Sequence, residues 1–79
     1  MYPNPAIDEL IVEFEIGKLS QLSLEVVNIL GQVVYIEKDE SIPPGKNRKR
    51  IDVSTYEAGA YFVFLETKNG VVQHKIIKN

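Results

Sequence analysis

The side chains of this chain able to do chemistry fall into three groups: the imidazole of His74, the carboxylates of Glu13 and Glu15, and the cations Lys46, Arg48, Lys49 and Arg50. His74 is the sole histidine, and the chain has no cysteine to accompany it as nucleophile or metal ligand. A lone imidazole in a run of strand-forming residues is ordinarily a surface or packed side chain, not a base. Glu13 and Glu15 are two apart and so share one strand face, whereas hydrolysis of a glycosidic bond needs two carboxylates facing each other across a cleft. The four cations would suit a polyanion. However, Glu37, Asp39 and Glu40 stand just before them, and a hairpin would set the two groups against each other as cross-strand pairs. No glycine-rich loop of the phosphate-cradling kind is present. The expected chemistry is therefore none: no catalytic residue, no cofactor and no metal.

The size of the chain agrees with that expectation. Seventy-nine residues make a single domain, spanning 1–79, with one thin core and no room for two lobes and a cleft. Without cysteine there is neither a disulfide staple nor a thiolate zinc site, so the fold must rest on apolar packing, and the 44% hydrophobic content suits that demand. A net charge of −2, from nine basic and eleven acidic residues, argues against nucleic acid and anionic membranes as partners, since both select a cationic excess. No apolar run approaches the length of a membrane span, so no membrane insertion is expected. Met1 is followed directly by Tyr2-Pro3-Asn4-Pro5, without a positive or an apolar leader, and no amino-terminal signal peptide is expected.

Period-two alternation dominates, and no amphipathic helix stands out. Leu10, Val12, Phe14 and Ile16 alternate with Ile11, Glu13 and Glu15, the pattern of a half-buried strand. Leu22, Leu24 and Val26 alternate with Ser23 and Glu25, and Val27 and Ile29 carry apolar character onto the other face, which predicts a central strand. Gly31 lies between that run and Val33-Val34-Tyr35-Ile36, as the positive-φ residue of a tight hairpin. Pro43-Pro44-Gly45 makes 39–47 the expected long loop. Arg50 to Val53 reads as a short strand, and Ser54 to Glu57 as a single helical or 3₁₀ turn ended by Gly59. Tyr61 to Glu66 and Val71 to Lys78 form the final hairpin about Asn69-Gly70. Pro3 and Pro5 admit the opening segment only along a sheet edge or as its lead-in. Six to seven short strands predict an all-β, immunoglobulin-like antiparallel β-sandwich. A single sheet would leave Val27, Ile29, Phe62 and Phe64 in water.

In this order, Tyr2-Pro3-Asn4-Pro5-Ala6, Val26 to Val34 around Gly31, Ile51-Asp52-Val53-Ser54 leading to Ala58-Gly59-Ala60-Tyr61, and terminal Lys75-Ile76-Ile77-Lys78 resemble a known family. It is the type A C-terminal sorting domain of the type IX (Por) secretion system of Bacteroidetes, and the likeness covers essentially the whole chain. Tyr56 and Glu57 depart from the family's common leucine and proline, and Ala60 from its β-branched residue. The resemblance implies a non-enzymatic signal at the carboxy terminus of a secreted cargo, with Met1 read as added to an excised domain. It also implies two partners: an outer-membrane translocon, and a sortase-like peptidase that cuts upstream of Tyr2. The parent protein would pass through the periplasm to the cell surface or medium.

The motif residues Tyr2, Pro3, Asn4, Pro5, Gly31, Gly59, Tyr61, Gly70, Lys75 and Lys78 each also have a structural reading. The glycines serve turns, Tyr61 is a core or corner tyrosine whose hydroxyl meets a backbone partner, and the prolines protect an edge. Lys75 and Lys78 are three apart, so they point to opposite sides of the strand, with Lys75 beside an acid of the first strand and Lys78 free for a partner. An unprotected edge strand leaves room for a weak homodimer. The alternative function is an accessory carbohydrate-binding or adhesion sandwich, with Tyr2, Tyr35 and Tyr56 as its surface aromatics.

Overall fold

The computed structural model describes residues 1–79 with the exception of Asn69. Among the described residues there are six strands: β1 (Glu9–Ile16), β2 (Ser20–Asn28), β3 (Val33–Ile42), β4 (Gly45–Asp52), β5 (Gly59–Thr67) and β6 (Gly70–Lys78). They form two antiparallel sheets, one of order β1-β4 and one of order β3-β2-β5-β6. The molecule is an all-β, immunoglobulin-like sandwich. As the apolar pattern of its sequence requires, β2 lies centrally, between β3 and β5.

The core is made by the inward sets of both sheets. Leu10, Val12 and Ile16 of β1 and Ile51 of β4 meet Leu22, Leu24 and Val26 of β2, Tyr61, Val63 and Leu65 of β5, and Ile76 of β6. Leu10, Leu24, Ile51 and Val63 are wholly buried. Burial of such side chains contributes about 1.5 to 3 kcal/mol each, and this drives the two sheets together.

Three expectations need correction. Residues 39–47 are not a long loop: β3 continues to Ile42 and β4 starts at Gly45, so only Pro43 and Pro44 separate them. These prolines mark a corner at which the chain leaves one sheet for the other, where their missing donors go unused. Consequently, β3 and β4 do not form a hairpin. The second correction concerns Val27, Phe62 and Phe64. Their positions alternate with the core residues, so they lie on the outer face of the four-stranded sheet, half-buried by their neighbours, while Ile29 is largely exposed. Third, Ser54 to Glu57 forms no helix: a single hydrogen bond from Tyr56 N–H to Val53 O (3.0 Å) closes a turn, and Gly59 opens β5 instead of ending that turn.

Candidate recognition surface

The opening segment is a strap joining the two sheets along one side. Its prolines keep it out of a regular ladder, so its backbone pairs only at isolated points. Tyr2 N–H donates to Ile11 O (3.0 Å) and Ile11 N–H donates to Tyr2 O (2.6 Å), which pins the strap to β1. Ala6 N–H donates to Ile77 O (2.7 Å) and Asn79 N–H donates to Ala6 O (2.9 Å), which pins it to β6. Between these points the Asn4 side chain accepts the Ile77 N–H at 3.0 Å. Sequence reasoning placed Pro3 and Pro5 at an edge but missed the use of Asn4. A short amide acceptor held between two prolines was the available signal.

The strap covers only the end of β6. Because Ile77 and Asn79 direct their main-chain groups away from β5, the strand period puts those of Val71, Gln73 and Lys75 on the same outer side. Among the described residues these three outward positions have no backbone partner. They form an open edge, the geometry by which sheets accept an added strand.

The other motif residues sort as follows. Gly31 has φ of 82° and closes the β2–β3 turn. It lies at the same end of the sheet as Gly59, which pairs with Lys78, and Tyr61, which pairs with Asn28 and Ile76. Gly70 starts β6 at the opposite end, and Asn69, the other half of the expected turn dipeptide, lies outside the described residues. Tyr61 is a buried core tyrosine whose hydroxyl has the expected backbone partner: it donates to Glu57 O at 2.7 Å, and its ring centroid lies 5.3 Å from that of Tyr56. Lys75 is exposed and forms no ion pair among the described residues, so the expected acid of β1 is not its partner. Lys78, expected free, is only 7% exposed, and its ammonium donates to Asn79 O at 3.3 Å. Ile76 and Lys78 share the inward face of β6, and that face is covered at its end.

Three of the four cations pair internally, but not as a hairpin. Lys49 Nζ reaches Glu37 at 2.8 Å and Asp39 at 3.1 Å across the flank between sheets, and Tyr35 donates to Glu37 at 2.6 Å. Arg48 pairs with Glu13 of β1 at 3.2 Å, and Arg50 approaches Glu9 at 3.9 Å. The Arg48 guanidinium, then the Tyr2 hydroxyl, hold the Glu13 carboxyl below its ordinary value. Lys49, then Tyr35, do the same for Glu37, whose nearness in turn raises the Tyr35 phenol to about 12. Among the described residues no group of three or more histidine, cysteine or carboxylate side chains could hold a metal ion. Tyr35 and Tyr56 pack against the core, leaving Tyr2 as the one exposed tyrosine of the expected trio. That trio therefore forms no exposed row for stacking on sugar rings.

Comparison with curated proteins returns no match. The family profile described as secretion system C-terminal sorting domain matches residues 1–79, the whole chain.

Proposed function

The chain belongs to the secretion system C-terminal sorting domain family, and on that premise we propose how its signal is read. It is a type IX C-terminal sorting signal, recognised by that system's machinery, and its parent protein is secreted to the cell surface or medium. The proposal concerns the contact. The outer-membrane translocon adds a strand to the outward edge of β6 at Val71, Gln73 and Lys75, with main-chain hydrogen bonds supplying affinity and the neighbouring side chains selectivity. The open row of outward backbone groups supports this reading. Tyr2, Pro3, Asn4 and Pro5 hold the end of that strand in place, while Gly31, Gly59, Tyr61 and Gly70 shape the sheet that presents it. Lys75 is the charged side chain at the contact, and Lys78 acts from within, as part of the strand's inward face.

In the same reading the domain is a single unit over 1–79 that catalyses nothing. It follows a cargo that crosses the periplasm, and a sortase-like peptidase cuts upstream of Tyr2. Self-association through the same edge would compete with docking and is weak. The test is to fuse residues 2–79 to an inert periplasmic reporter in a host carrying the type IX machinery and to measure reporter at the cell surface. Surface appearance is expected, and retention in the periplasm overturns the reading.

A further inference from the structure

The two-stranded sheet is too narrow for the four-stranded sheet it packs on, and the shortfall lies on the side that the strap closes only in part. Ile76 and Lys78 are buried at the end of β6 where Ala6 of the strap pairs. Val72 and His74 belong to the same inward face, since they pair with the buried Leu65 and Val63. Yet Val72 is 50% exposed, and His74 is exposed as well. The edge of β1 on the strap side is also unfinished. Ile11 exchanges both of its main-chain hydrogen bonds with Tyr2, so the strand period directs the N–H and C=O of Glu13 and Glu15 the same way. Among the described residues neither has a backbone partner on that side. Phe14, between them, packs against the core and is only half-buried.

We infer that the cargo linker ahead of this domain continues the strap and adds to the edge of β1 as a third strand of that sheet. The inference rests on the function proposed above, which sets a cargo before residue 1, and it uses the edge of β1, not the β6 edge assigned to the translocon. The bridge between Tyr2 and Ile11 is antiparallel and fixes the register. Met1 falls opposite Val12, and the next residues upstream fall opposite Glu13, Phe14, Glu15 and Ile16 in turn. Met1 already follows this course: opposed residues share a face, Val12 is buried, and the Met1 side chain is partly buried against the core. The second residue ahead of Met1 is therefore directed inward beside Phe14, and an apolar side chain suits it. The third lies outward beside Glu15, which forms no ion pair among the described residues, so a basic or hydroxyl side chain suits it. The strap delivers the linker with its direction and register set, and tethering gives it an effective concentration that a second copy or a free peptide lacks. A paired strand must also lift away before a peptidase can cut it, so the added strand would shield the linker next to the domain.

Hydrogen exchange tests the inference on two forms of the protein: residues 1–79 alone, and the same residues preceded by about ten residues of the parent's own linker. In the longer form the Glu13 and Glu15 amides should exchange about fivefold more slowly or better, the effect of one hydrogen bond each, with the Gln73 amide on the β6 edge unchanged. Unchanged exchange at Glu13 and Glu15 overturns the inference. Protection that appears at Gln73 instead, or that grows with protein concentration as pairing with a second copy would, overturns it as well. A protease of broad specificity should cut the longer form upstream of the residues that oppose β1, and cutting among them as fast as further upstream counts against the added strand. Surface display of a reporter joined through the same linker is read separately. Display lost while Glu13 and Glu15 stay protected overturns the sorting function and not the added strand.

Discussion

Lys49 of β4 faces Glu37 and Asp39 of the opposite sheet. Lys49 and Glu37 are mostly shielded, so their pair is less screened than a surface ion pair. Lys49→Met keeps the aliphatic stem but leaves Glu37 without its cation, with only the Tyr35 hydroxyl donating to it, and should lower stability by about 1 to 2 kcal/mol in urea unfolding. The pH dependence follows from the directions of shift. Glu37 and Asp39 titrate below their ordinary 4.5 and 3.8 when folded, so their contribution is complete above those values and is lost as pH falls through the lowered ones. Lys49 titrates above 10.5 and Tyr35 near 12, so their contribution is complete below their ordinary values and is lost as pH rises, for Tyr35 between 10 and about 12. Stability should form a plateau with an acid and an alkaline limb. Lys49→Met should flatten the acid limb, since Lys49 is the first cause of the Glu37 shift, whereas Asp39 keeps its hydrogen bond from Ser41 N–H. The opposed charges were legible in the chain. That Lys49 would cross between sheets was not, because the corner at Pro43-Pro44 separates β3 from β4.

At the scale of elements, the strap and β6 depend on each other. Asn4 is the acceptor for the Ile77 amide, and Ala6 for that of Asn79, so the first and last segments of the chain are joined without belonging to one ladder. Asn4→Ala should speed hydrogen exchange at Ile77 by about fivefold to tenfold, the effect of one hydrogen bond, while the His74 amide, directed at β5, exchanges as before. Equal acceleration at both would mean that β6 frays as a whole and that Asn4 has no particular hold on its end. The strands themselves were readable from alternation, and the β2–β3 turn from Gly31. The extents of β3 and β4 were not, since charged residues alternating in a strand resemble a polar loop until their partner strands, β2 for β3 and β1 for β4, are known.

For the whole molecule, β6 is both part of the core, through Ile76 and Lys78, and an open edge, through Val71, Gln73 and Lys75. Removing residues 75–79 would therefore damage the body as well as the signal, and loss of export would not tell the two apart. Gln73→Pro separates them: it deletes an outward N–H that the fold does not use, and prolines are tolerated on edge strands. We expect it to retain the cooperative thermal transition while surface reporter falls sharply, whereas His74→Pro, which breaks the ladder to β5, should unfold the domain. Undiminished export by a folded Gln73→Pro protein would exclude strand addition at this edge.

Sequence by itself determined the all-strand body, the central place of β2, the β2–β3 turn and the family, because alternation, glycine backbone freedom and ordered motifs are all local properties. Only the tertiary structure decided which side of β5 would be inside. Both faces of β5 are apolar, so alternation there defines two faces without ranking them, and the two-stranded partner sheet covers Val63 while leaving Phe62 and Phe64 on the outside. The burial of Lys78 and the hold of Asn4 on Ile77 were likewise tertiary outcomes. They depend on bringing together residues at opposite ends of the chain, which no local pattern records.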